Sequence, residues 1–133
     1  MSILYSPPSL HLSRERDLCV IDTLATETDL SGLTHLYLNY CEASDLAPVA
    51  ALGALTHLHV LSCQRLRDFG PLAALPALTT LQVAFSHQVQ DLSALADTRT
   101  LTTLTLHYCM GVRDLRPLAR LSRLTTLDLS YCK

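Results

Sequence analysis

Three histidines, His35, His57 and His59, stand in an otherwise aliphatic stretch. Imidazoles two apart on a strand share one face, and a neighbouring strand can supply a third, which is a plausible donor set for a transition metal. No carboxylate occupies a matching position to orient these rings, as the outer shell of a metal site usually requires. A histidine metal site is therefore carried as the alternative reading of this cluster, with the plain face of a strand as the first.

The five cysteines invite a second chemistry. Cys41, Cys63, Cys109 and Cys132 recur at one repeat position, with Ser86 in the remaining copy. A linear column with steps of about 5 Å cannot close a tetrahedron around zinc. Cys19 lies in the apolar run Leu18–Ile21, where a small buried side chain is the ordinary explanation. Arg113, Arg116, Arg120 and Arg123 form a local basic patch that makes RNA the rival partner, although Asp114 among them favours a solvated charged face. No glycine-rich phosphate loop, nucleophile elbow, metalloprotease helix or paired-carboxylate motif is present, so neither catalysis nor a cofactor is expected.

These residues are set by a repeat. Segments beginning at Leu33, Leu55, Leu78, Leu101 and Leu124 are separated by 22, 23, 23 and 23 residues. They read LTHLYLNYC, LTHLHVLSC, LTTLQVAFS, LTTLTLHYC and LTTLDLSYC. A second block follows in four of them: DLAPVAAL, DFGPLAAL, DLSALADT and DLRPLARL. Leu36-x-Leu38 and its copies alternate apolar and polar residues as half-buried strands do, and stacking should pair them in parallel. The Asp followed by Pro48, Pro71 or Pro117 marks a short helical turn on the opposite side, because proline is tolerated in a first turn. One unit cannot bury its own leucines, whereas a stack encloses a continuous core. Ala94 and Thr98 break the second block of the 78–100 copy, which predicts a looser turn there.

The opening pattern L-x-x-L-x-L-x-x-[N/C] resembles the leucine-rich repeats over about residues 33 to 133. The D-L-x-P-L-A block resembles the short-period subclass of bacterial internalins and of a protein phosphatase regulatory subunit, and the cysteine-bearing variant resembles repeat proteins of some protozoan parasites. The resemblance implies a right-handed α/β leucine-rich-repeat solenoid, with a parallel concave β-sheet and short 3₁₀ or α convex turns. It also implies that the cysteine column hydrogen-bonds turn backbone. Residues 1–32 are expected to form a lead-in and degenerate capping repeat, with a first strand at Leu18–Ile21. The repeats then span 33–54, 55–77, 78–100, 101–123 and an incomplete 124–133.

Residues alternating with the core leucines should face outward from the concave sheet. Candidate partner-binding residues are His35, Tyr37, Asn39, His57, His59, Leu61, Gln82 and His107, with Leu61 as an exposed apolar centre. Tyr and His combine rigid apolar bodies with hydrogen-bonding tips, a combination that suits protein interfaces. Tyr40, Phe85, Tyr108 and Tyr131 share the eighth repeat position, interrupted by Ser62, and should line one rim. A protein-interaction module or scaffold is the function these residues point to, with no partner named by the sequence.

Composition narrows the setting. Half the residues, 49%, are hydrophobic, yet no Trp is present, so aliphatic side chains must build the core. Ten Lys and Arg against twelve Asp and Glu give no field that would draw nucleic acid or an anionic membrane. No stretch reads as a signal peptide or a membrane span, and the odd cysteine count then suggests reduced thiols in a cytoplasmic protein. Leu124, Leu127 and Leu129 lack a polar unit to cover them, which points to self-association or to further repeats at that edge.

Overall fold

The computed structural model describes residues 2–6, 9–13 and 30–132. Each Leu-x-Leu copy forms a strand: β3 His35–Asn39, β4 His57–Leu61, β5 Thr80–Ala84, β6 Thr103–His107 and β7 Thr126–Asp128. In β3 to β6 the second and fourth residues are buried and the others are at least partly exposed, as a period of two demands. Two further strands, β1 Ser2–Ser6 and β2 Ser9–Ser13, precede them. The seven form one sheet in chain order. β1 and β2 are antiparallel and every later pair is parallel. The strand expected at Leu18–Ile21 lies outside the described residues, and the neighbour of β3 is Ser9–Ser13.

Register follows the repeat without a slip. His35 lies opposite His57, then Thr80, Thr103 and Thr126 in succession. A threonine ladder braces that alignment. Thr56, Thr79, Thr102 and Thr125 each donate a hydroxyl hydrogen bond of 3.1–3.2 Å to the threonine carbonyl one repeat earlier. The backbone N–H of each of the four bonds the same carbonyl at 2.8–2.9 Å.

On the convex side the turns are 3₁₀ helices at Ala47–Ala51, Gly70–Ala74, Ser93–Asp97 and Arg116–Arg120. Asp45, Asp68, Asp91 and Asp114 start them, each carboxylate accepting the backbone N–H two residues on at 2.8–3.0 Å. This bond satisfies a donor that the first helical turn would otherwise leave unpaired. The looser turn expected in the 78–100 copy is not found: Ser93–Asp97 is as long as the others. Thr98, where the other copies carry leucine, is buried, and its hydroxyl bonds the Leu95 carbonyl at 2.6 Å. The polar group is thus satisfied locally and the turn keeps its shape.

Strand leucines and helix residues Val49, Leu72, Leu95 and Leu118 meet in one core. Phe69, fully buried, is its largest side chain. Burial falls away at the last repeat, where Leu124 and Leu129 pack on the core and Leu127 is 46% exposed. No helix among the described residues is long and apolar enough to cross a membrane.

Candidate functional site

The concave face is a lattice of side chains whose neighbours are fixed by strand register. His35 stacks on His57 with ring centroids 4.2 Å apart and an interplanar angle of 7°. Tyr37 stacks on His59 at 4.5 Å and 24°. Both pairs are direct cross-strand partners, so the stacks follow from the 22-residue spacing of the first two copies.

The Thr56 hydroxyl lies 2.8 Å from His57 Nδ1, a hydrogen bond that ties the ring to its own strand. Burial, and after it the neighbouring His35, lowers the His57 pKa below its ordinary 6.5, which keeps the ring neutral at pH 7.

The three histidines of the metal alternative do not converge. His35 and His57 stand face to face and His59 is engaged with Tyr37. Among the described residues no group of three or more His, Cys, Asp or Glu is placed to hold a metal ion.

Beside the stacked pairs the sheet dips into a depression of about 330 Å³. Tyr37, Asn39, His59, Leu61, Gln82 and His107 line it, together with Ala84 and Thr105. Six of the eight candidate residues thus share one hollow, and His35 and His57 flank it at the start of β3 and β4. Leu61 and Ala84 lie between Asn39 and His107 in one cross-strand row, and the short Ala84 side chain lowers the floor beside His107. Leu61, expected to be exposed, is half-buried in this floor.

The rim holds a feature that composition alone hides. Tyr40, Ser62, Phe85, Tyr108 and Tyr131 all adopt positive φ, between 53° and 60°. This left-handed conformation is uncommon outside glycine and asparagine, and it turns the chain off the sheet at the same point in every copy. Phe85 and Tyr108 stack at 4.9 Å, and Tyr108 and Tyr131 at 4.4 Å. His107 packs edge-on against all three rings.

One residue further along, the thiol column bonds carbonyls of its own and the preceding turn. Cys63 reaches the Leu38 and Leu61 carbonyls and Cys109 those of Val83 and His107, at 3.6–3.7 Å. Burial pushes both thiols up to about 11, so they remain protonated and unreactive. Cys41, expected to be reduced, is disulfide-bonded, while Cys63, Cys109 and Cys132 are free.

The arginine patch is partly self-neutralised. Arg116 grips Asp114 with two guanidinium hydrogen bonds of 2.8 and 2.9 Å. That contact, and after it the Arg116 backbone N–H, pulls the Asp114 carboxyl down to about 2.

With this geometry in hand, known proteins place the architecture. An internalin from Listeria monocytogenes, inlF, superposes with a TM-score of 0.64 at 27% identity, over 78% of this chain and 30% of its own. Internalin C2 from the same organism superposes with a TM-score of 0.50 at 26% identity, over 74% of this chain and 52% of its own. The chain is a leucine-rich-repeat solenoid. It spans about a third to a half of the length of these two proteins. No family profile and no curated protein sequence matches it.

Proposed function

We propose that this solenoid is a protein-interaction module that holds a partner across its concave face, with recognition centred on Tyr37, His59, Leu61, Gln82 and His107. The observation that carries the reading is the hollow at Leu61 and Ala84, walled by the Tyr37–His59 stack and by His107. Apolar floor, rigid aromatic walls and polar tips are the composition of an interface centre. The likeness to internalins supports an interaction role in general. We propose a non-enzymatic role, in keeping with the likeness to internalins.

The setting we propose is cytoplasmic, for which the three free thiols are the support and against which the Cys41 disulfide stands. A second contact surface is the edge at β7, where Leu127 is 46% and Tyr131 58% exposed. An apolar edge strand of this kind favours association with a second copy. The test of the main reading is partner capture compared between the native chain and a folded Tyr37→Ala, His59→Ala, Leu61→Ala variant. Retention of every partner by the variant would remove the concave face from consideration.

A further inference from the structure

The rim ladder lacks one rung. Positions 85, 108 and 131 carry rings that stack at 4.4–4.9 Å, the spacing of the strands themselves. Ser62 has the same left-handed backbone, with φ 54°, but only a hydroxymethyl group. Tyr40, on its far side, has φ 58° and donates its N–H to Leu61 as Phe85 does to His107, so the two flanking positions are in register with the ladder. Tyr40 meets no other ring among the described residues and is 53% exposed, and Phe85 is 38% exposed. Tyr108, covered on both faces, is less exposed than either neighbour in its stack.

We propose that the gap over Ser62 is a binding subsite for one planar aromatic side chain of a protein partner, inserted between Tyr40 and Phe85. The proposal rests on the concave-face reading above and names the chemistry of its partner. Two strand steps separate the flanking positions, about 9.6 Å. A ring sandwiched between two others needs about 3.5–4 Å on each side, about 7–8 Å in all. One ring therefore fits, at nearly the spacing of the existing ladder, and two do not. Leu61 and Ala84, next in the chain to Ser62 and Phe85, line the hollow, so the gap adjoins it. Gln64 braces the Phe85 side, its amide donating to the Phe85 carbonyl at 2.6 Å.

The area of the face argues for the same occupant. The seven strands, of about five residues, present roughly 34 by 17 Å in projection, or about 580 Å². A stable partner covers about 800 Å² of each surface, so it must extend over a rim. The aromatic rim beside the hollow is where that extension meets side chains able to hold it, and an exposed unfilled stack selects a ring over an aliphatic chain.

The probe for the subsite is N-acetyl-L-tyrosinamide, titrated into the 15N-labelled full chain, with N-acetyl-L-leucinamide as the non-planar control. The expected result is saturable amide shifts at Tyr40, Ser62 and Phe85 in the millimolar range, at least fivefold weaker for the leucine compound. Tyr40→Ala weakens the tyrosinamide several-fold. Ser62→Tyr, which fills the rung with a residue already tolerated at φ 53° in Tyr108 and 60° in Tyr131, abolishes it. No saturable shift, equal response to both compounds, or a response unchanged in Ser62→Tyr overturns the subsite. A partner captured through the concave face should also be lost in Ser62→Tyr, and its full retention overturns the proposed occupant. Loss of the concave-face reading itself would show separately, as partner capture unaffected by Leu61→Ala.

Discussion

Ser62→Tyr should stabilise the free protein, and the gain can be worked from the ladder. The new ring would stack on Tyr40 on one side and on Phe85 on the other, and each aromatic pair contributes about 0.5–1.5 kcal/mol beyond its burial. Ordering the tyrosine side chain costs about 1 kcal/mol in rotamer freedom. Backbone strain adds little, because the serine already sits at φ 54° and three tyrosines occupy the same conformation at 53–60° in other copies. The net is about 0–2 kcal/mol, centred near 1. A domain of this length moves by roughly 3–6 °C per kcal/mol, so thermal unfolding followed by circular dichroism should rise by about 3–6 °C at that central value. The same substitution in a Tyr40→Ala, Phe85→Ala background should lose most of the gain, which isolates stacking from any effect of Ser62 itself. An unchanged or lower midpoint, or an equal gain without the flanking rings, would refute the view that the rim ladder is a stack with one vacancy.

Three further outcomes follow from the packing. Leu81→Ala, at a fully buried position in the middle of the core, should cost about 2–5 kcal/mol in chemical denaturation, and a cost under 1 kcal/mol would mean that the sheet and convex helices are not tightly packed there. Thr79→Val keeps the side-chain shape but deletes the 3.2 Å hydroxyl bond to the Thr56 carbonyl, and should cost about 0.5–1.5 kcal/mol by the same measurement, whereas a stabilised protein would contradict the threonine ladder. The lowered pKa of His57 sets a pH dependence: below 6.5 the unfolded chain binds its proton while the folded chain resists, so stability falls as pH drops from 7 through the folded value. His57→Gln should show a smaller loss of melting temperature between pH 7.5 and 5.5 than the native protein, and an equal loss would remove His57 as its source.

Much of this architecture was readable from spacing. Copies aligned at Leu33, Leu55, Leu78, Leu101 and Leu124 place every Leu-x-Leu pair in register, and a period of two then assigns His35, Tyr37, His57 and His59 to the outward face. The hollow was only half legible, since residue types name its walls but its depth depends on the short Ala84 falling beside His107 in the cross-strand row. The left-handed turn at position eight was not legible at all. Glycine or asparagine would announce it, and here Tyr, Phe and Ser occupy it, held in the first four copies by a hydrogen bond from the N–H to a carbonyl of the next copy. Thr98 misled in the opposite direction: a polar residue at a core position suggested a loose turn, because its bond to the Leu95 carbonyl depends on a helical geometry that the sequence pattern does not display.

The central claim, that a partner is held on the concave face, is tested most directly by capture from source-cell lysate with three folded baits: the native chain, a Tyr37→Ala, His59→Ala, Leu61→Ala variant, and a convex Arg113→Ala, Arg120→Ala, Arg123→Ala variant. The account predicts a specific protein retained by the native and convex baits and lost from the concave one. A partner kept by the concave variant and lost from the convex one would contradict it and move recognition to the arginines.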